Sequence, residues 1–256
     1  MKQYKAYAKV NIFLKITAKR GNYHEILSRF VRIENLYDTL FFEPKKSEAF
    51  KIKGHFSCDV KQNTIYKAYV ALLEATQSES LERLMLTHAI VVEKQIPAFA
   101  GLGGGSSDAA TYLKMCNETL HLGLSLDDLA TIGAKVGADV PFFIYGYSSA
   151  NVSGIGEIVE AFEEPLLNIE TTTPKIEIST PKVYTAFREQ FYKELSEEEA
   201  QQLKKMPSVE VLKHYNPQKA NDLFEPALSL YKNLHKHQQE GWYFSGSGSS
   251  YFKVVE

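Results

Sequence analysis

Residues 97–107 read Pro97-Ala98-Phe99-Ala100-Gly101-Leu102-Gly103-Gly104-Gly105-Ser106-Ser107, with four glycines and two serines in the last seven positions. Glycine is the residue that lets backbone turn tightly or approach a ligand closely. A helical pattern follows at once. The N–H groups of such a loop and of the first helical turn point outward at the positive end of the helix dipole, and phosphate is the anion that best suits them. A flexible linker is the bland alternative, but a linker does not run from an apolar strand straight into an amphipathic helix. No lysine follows the glycines, so this is not a Walker A loop, and Ser106 stands where the dinucleotide fingerprint needs its last glycine.

Three other places carry residue types suited to chemistry. Lys9 and Asn11 lie two apart in an alternating stretch and so share a face, opposite Val10, Ile12 and Leu14. A solvated polar edge is the ordinary fate of lysine in a strand. Tyr23-His24 follows the turn residues Gly21 and Asn22. An aromatic beside an imidazole can hold a flat heterocycle by stacking and hydrogen bonding, or be plain surface. Asp139 stands in Gly137-Ala138-Asp139-Val140-Pro141-Phe142-Phe143, between a small-residue turn and an apolar run. It reads equally as a helix cap or turn residue, or as a placed carboxylate.

The elements that must position these residues follow from periodicity. Alternation predicts a strand over residues 4–16, then a loop over 18–24. Strands are expected over 28–34 and 40–43, around a turn at Tyr37-Asp38-Thr39. Asn63 can cap a helix carrying Ile65, Tyr69, Leu72 and Leu73, with loop over 76–80. Residues 89–92 form a buried strand before the glycine loop. Ser106 or Ser107 is expected to cap the next helix, whose face carries Ala109, Leu113, Cys116 and Leu120, with Asp108 in its first turn and Gly123 ending it. Ser125 and Asp128 form a capping box. A hairpin is expected over 148–158, a strand over 176–178, a helix from Thr180-Pro181, a second capping box at Ser196, and strand–turn–strand over 243–252. The acidic run 160–164 with Pro165 suggests a boundary, giving domains over residues 1–160 and 161–256.

Composition narrows the class. The chain has 256 residues, a formal net charge of −2 and 44% apolar residues, the profile of a globular protein with a real core and no bulk basic field for nucleic acid. Two cysteines, Cys58 and Cys116, suggest no disulfide framework. No apolar run reaches the length of a membrane span, and no targeting signature opens the chain, so a cytoplasmic protein is expected.

Taken in order, these pieces resemble the GHMP kinases, a superfamily of small-molecule kinases. The central motif of that family, a proline ahead of Gly-Leu-Gly and a glycine/serine run that enters a helix, matches residues 97–109. Within the family the likeness is to the branch acting on 4-diphosphocytidyl-2-C-methyl-D-erythritol. It is carried by Ala8-Lys9-Val10-Asn11-Ile12-Phe13-Leu14, Asn22-Tyr23-His24, the 137–143 segment, Thr180-Pro181 to Tyr184, Asn221-Asp222 and Gly246-Ser247-Gly248. Asn22 stands where glycine is usual, and Ser247 where threonine is more common. The resemblance also implies a second domain shortened at its carboxyl end.

The resemblance implies an α/β (α+β) two-domain GHMP kinase fold with its active site in the inter-domain cleft. It implies phosphorylation of the substrate 2-hydroxyl by ATP with Mg2+, in non-mevalonate isoprenoid precursor synthesis. Residues 97–107 would hold the ATP phosphates, with Asn63 and Lys94 at the adenine positions. Asp139 would be the base and Lys9 the cation beside it. Asn11, Tyr23, His24 and Tyr184 would hold the cytidine substrate. No protein carboxylate is implied for the metal. The expected partners are ATP and a cytidine diphosphate sugar-alcohol, with no nucleic acid, no membrane, and a monomer or weak homodimer. The alternatives are a GHMP kinase for mevalonate, a sugar or homoserine, or a nucleotide-binding protein without catalysis; the Tyr23-His24 pair and the strand bearing Lys9 and Asn11 speak against the first.

Overall fold

The computed structural model describes residues 2–20, 23–46 and 49–255, with the side chains of Lys19, Arg20 and Tyr23 left outside the description. Contacts group the chain into two units, Met1–Ala8 with Glu34–Ala98 and Gly104–Gly146, and Lys9–Ile33 with Phe99–Gly103 and Tyr147–Glu256. Two long strands, β1 (Tyr4–Arg20) and β2 (Tyr23–Pro44), run through both. The helices and strands are mixed, as the sequence pattern predicts.

In the first unit the carboxyl half of β2 pairs antiparallel with β4 (His88–Glu93), with Leu40 opposite Val92, and β3 (Ile52–Lys53) pairs parallel with β4. The helices are α1 (Thr64–Thr76), α2 (Glu79–Thr87), α3 (Gly104–Thr119), α4 (Leu126–Ala134) and α5 (Val140–Tyr145). Helix α3 packs on α1 and α5 and buries Ala109, Leu113 and Cys116 as its periodicity predicts, but it ends at Thr119, so Leu120 and Gly123 lie beyond it. Burial pushes the Cys116 thiol up to about 12, so it stays neutral core. Asn63 caps α1 by accepting from the Ile65 N–H at 2.9 Å, and Ser125 and Asp128 close a full capping box on α4.

In the second unit the amino half of β2 pairs antiparallel with β5 (Ser149–Ser153), which pairs with β6 (Ile158–Ala161) as the expected hairpin. A separate sheet follows, in the order β7 (Asn168–Thr172), β9 (Tyr251–Val255), β8 (Tyr243–Phe244). The helices are α6 (Thr180–Ala186), continued by a π turn over Phe187–Phe191, α7 (Glu197–Lys205), α8 (Ser208–His214), α9 (Pro217–Ala220) and α10 (Phe224–Leu230). Ile16, Val183, Phe187, Phe224, Phe244 and Tyr251 form its apolar core. Ser196 caps α7 through the Glu199 N–H at 3.1 Å.

Four local expectations are corrected. The segments 28–34 and 40–43 are parts of one strand, because Asp38 is not a turn residue: it is fully buried and binds the backbone N–H groups of Gln95 and Ile96. The expected loop at 18–24 is mostly strand, although Gly21 and Asn22 lie outside the described residues. Residues 76–80 are not all loop, since Ser78 caps α2 from Glu79 onward. Residues 176–178 form no strand; the Ile176 N–H turns back to the Pro174 carbonyl, and Ile178 serves the core instead.

One buried cation ties the second unit together. The Arg29 side chain is 0% exposed and donates to Asn151 Oδ1, to the carbonyls of Leu203, Lys204 and Met206, and to Ser208 Oγ, so it caps the carboxyl end of α7. Glu164 lies 4.0 Å away and its charge opposes the burial that pulls the guanidinium down to about 10, which leaves Arg29 charged at neutral pH. Arg29→Met would strand these acceptors without a donor. It is expected to cost about 3 kcal/mol, read by urea denaturation; a loss under about 1 kcal/mol would show that Arg29 is dispensable.

Candidate active site

The chain leaves β4 at Glu93 and reaches α3 through the glycine loop. Phe99, Gly101 and Gly103 take positive φ of 53°, 73° and 73°, so every second residue is left-handed and successive peptide groups are re-aimed. Gly101 has no room for a side chain: a Cβ there would run into the Ser245 carbonyl oxygen and lie 3.1 Å from the Gly248 N. Helix α3 begins at Gly104, so Ser106 and Ser107 sit inside its first turn rather than at its cap, which corrects the expected start by two residues or more. The first-turn amides have no acceptor within the helix. The Thr64 hydroxyl of α1 donates to the Gly105 carbonyl at 2.6 Å and steadies this end.

Lys9 is not a solvated edge residue. It is 3% exposed, and its Nζ donates to Asn11 Oδ1 at 2.7 Å and to the Gly101 carbonyl at 3.2 Å, over the face of Phe30 at 4.4 Å. The Lys9 backbone N–H donates to the Leu102 carbonyl at 3.0 Å. Asn11 in turn donates to Ser28 Oγ at 2.9 Å. Alternation along β1 thus brings Lys9 and Asn11 together, as their spacing predicts, and delivers both to the loop.

The same loop is gripped by the turn between β8 and β9. Ser245 Oγ donates to the Gly101 carbonyl at 3.0 Å, and the Ser250 N–H donates to the Ala100 carbonyl at 3.1 Å. Asn221 holds that turn from behind, with Nδ2 donating to the Phe244 and Gly246 carbonyls at 2.9 and 2.8 Å. Its neighbour Asp222 pairs with Lys15 at 2.5 Å and accepts from the Ile16 N–H.

Asp139 precedes α5 at the N-cap position, yet its carboxylate makes no capping hydrogen bond. Asp139 thus stands in the turn before α5 without capping it through its side chain. The turn that carries Asp139 lies against the first turn of α3: a Cβ on Gly137 would sit 3.8 Å from Ser106 Oγ. Asn63 spends its side-chain oxygen on the α1 cap. Lys94 is bound by two carboxylates, those of Asp38 and Asp108, the latter at 2.7 Å. The ring of His24 stacks on Tyr184, with centroids 5.2 Å apart and planes 29° from parallel. Tyr23 is placed in β2, but its side chain lies outside the described residues.

Pattern reading missed Asp38, Ser28, Thr64 and Ser245. Asp38 had one signal: it sits in a stretch without glycine or proline, where a turn has little support. The hydroxyls had none, because serine and threonine that bond a distant carbonyl look like any surface residue.

The loop suits a polyphosphate: its left-handed glycines re-aim successive amides, and α3 opens directly after it. Among the described residues, no group of three or more His, Cys, Asp or Glu is arranged to hold a metal ion, and no helix is long and apolar enough to cross a membrane.

Residues 63–147 match the family of GHMP kinases N terminal domains. The chain is 62% identical, over all of its length and 98% of the relative, to a 4-diphosphocytidyl-2-C-methyl-D-erythritol kinase of Sulfurimonas denitrificans. It superimposes over its whole length on 90% of a crystal structure of 4-(cytidine 5'-diphospho)-2C-methyl-D-erythritol kinase, with a TM-score of 0.77 and 30% identity. A mevalonate kinase of Methanococcus jannaschii shares the fold at 13% identity, with a TM-score of 0.62 over the whole chain and 90% of that structure. Fold and loop define an ATP-dependent small-molecule kinase of the GHMP class. Within that class, the chain belongs to the 4-diphosphocytidyl-2-C-methyl-D-erythritol kinase family.

The Gly101 geometry can be tested directly. Gly101→Ala combines a left-handed φ with a backbone clash, and should cost about 2 kcal/mol or more, lowering the melting temperature. An unchanged melting temperature would mean that the loop is not held against the Ser245 turn.

Proposed function

We propose that the chain transfers the γ-phosphoryl group of ATP to the 2-hydroxyl of 4-diphosphocytidyl-2-C-methyl-D-erythritol, giving the 2-phosphate and ADP, in the non-mevalonate route to isoprenoid precursors. The observation that carries the mechanism is the seating of the Asp139 turn against Ser106 at the start of α3. It supports a role for the Asp139 carboxylate, which the same turn carries, beside the phosphate-binding end of that helix.

Phosphoryl transfer asks the protein for positioning and charge stabilisation more than covalent chemistry. The amides of residues 101–107 hold the β- and γ-phosphates. Asp139 accepts the proton of the attacking hydroxyl. Lys9 is held by Asn11 and the Gly101 carbonyl, and contributes fixed positive charge for the developing alkoxide. Magnesium would supply further neutralisation of the phosphate oxygens, and the Ser106 and Ser107 hydroxyls would add contacts to phosphate or metal. Tyr184 and His24 form a ready aromatic platform for the cytosine, while Asn11 helps hold the substrate. Asn63 and Lys94 lie on the segments flanking the loop, which keeps them near the nucleotide. Cytoplasmic action fits a substrate and a phosphoryl donor that are both soluble metabolites.

Replacing Asp139 with Ala should lower turnover by roughly 10²–10⁴-fold while ATP binding is kept, as read by ADP release with the cytidine substrate. Turnover near wild type would remove Asp139 as the base. Tyr184→Ala should raise KM for the cytidine substrate about tenfold, the order of one base–aromatic stack, with little change in kcat. An unaltered KM would reject the platform, and turnover on mevalonate or homoserine alone would reject the substrate.

A further inference from the structure

Behind the phosphate-binding end of α3 lies a buried charge cluster whose two carboxylates the mechanism above does not use. Asp38, in the middle of β2, is fully buried; its Oδ1 accepts from the Gln95 and Ile96 N–H groups at 2.6 and 2.8 Å, and its Oδ2 accepts from Lys94 Nζ. Lys94 Nζ also donates to Asp108 Oδ2 at 2.7 Å. Asp108 is 2% exposed, and its second oxygen is buried with no hydrogen-bond partner among the described residues. The ammonium lies 3.6 Å from where a Cβ on Gly104, the first residue of α3, would stand. A bare cation at the positive end of a helix dipole would repel it. Two carboxylates around it turn that repulsion into an anchor.

We infer that Asp108 is a positioning residue for the phosphate loop: with Asp38 it holds the Lys94 ammonium against Gly104, and this contact fixes where the first-turn amides of α3 point. Lys94 then acts on the nucleotide through the loop backbone.

The charge count supports this reading. Two carboxylates and one ammonium leave an excess negative charge in a low-dielectric place, and one carboxylate oxygen has no donor. Burial pushes the Asp108 carboxyl up to about 7, with Lys94 pulling it down and the Asp38 charge adding to the rise. Burial also works against the Lys94 charge, but the two carboxylates more than compensate and hold its pKa above the usual value. Lys94 and Asp38 are the charged groups acting on Asp108. Of the titratable neighbours further along α3, Tyr112 and Cys116 are held neutral by burial. Helix α1 presents the Thr64 hydroxyl to this end of α3, and α5 presents the Phe143 carbonyl to Lys114. The sign is that of a carboxyl whose folded pKa is raised. Its contribution is full below about pH 4, is lost as pH rises toward 7, and is gone above.

The test is amide hydrogen exchange over residues 103–110 in the nucleotide-free protein, corrected for the intrinsic effect of pH, with ATP affinity as a second arm. Asp108→Ala leaves the Asp38–Lys94 pair intact. It should speed exchange over 103–110 about tenfold while α7 and α8 are unchanged. Asp108→Asn keeps an oxygen for Lys94 and cannot ionise. It should restore slow exchange and hold it from pH 5 to 8, where the wild type loses about tenfold protection between pH 5 and 7. Unchanged exchange in Asp108→Ala, or the same pH dependence in Asp108→Asn as in the wild type, would overturn the inference. The affinity arm rests on the kinase reading: ATP should bind Asp108→Ala about tenfold more weakly than it binds the wild type. Failure of the wild type to bind ATP would sink the kinase reading alone, because the exchange arm is decided without nucleotide.

Discussion

One carbonyl oxygen organises the loop-bearing end of the second unit. The Gly101 oxygen accepts from Lys9 Nζ and from Ser245 Oγ, and the Cα that precedes it has no room for a side chain. Three segments far apart in sequence, β1, the loop and the β8–β9 turn, meet at that atom. Because the lysine donates to backbone, its position is tied to loop geometry; because the turn is held by Asn221 from the other side, the loop inherits the rigidity of the core behind it. Pre-arrangement of this kind is what phosphoryl transfer demands, since the protein supplies little beyond position and charge.

The chain accepts buried charge in several places and gives each buried cation its partners. Arg29 is met by three helix-end carbonyls, Asn151 and Ser208; Lys15 by Asp222 and the Lys219 carbonyl; Lys94 by two carboxylates. Taking a charge out of water costs several kcal/mol, and partners in good geometry recover that cost. Such groups add little net stability. They make alternative arrangements expensive, because any shift leaves an ion unmatched. The Lys94 cluster is the exception to full matching, since one Asp108 oxygen has no donor.

Shared fold does not define the substrate. A mevalonate kinase carries the same architecture at 13% identity. In this chain Lys9 and Asn11 meet on β1 beside the loop, and the rings of His24 and Tyr184 stack on each other.

Local patterns determined much of this molecule. Alternation over β1, the strand–loop–α3 order, the Asn63 and Ser125 caps, the 149–161 hairpin and the final strand–turn–strand were all legible, because each depends on residues a few positions apart. The tertiary structure decided what each polar residue is for. Asp38 looked like a turn residue, yet it binds groups 56 to 58 positions away, and the local pattern holds no trace of them. Lys9 read as solvent-facing until the loop closed over it, and residues 176–178 read as a strand until the core claimed Ile178. Periodicity records which face of an element is apolar. The partner of a buried polar atom is set by chain closure over long separations, and that is where this site is made.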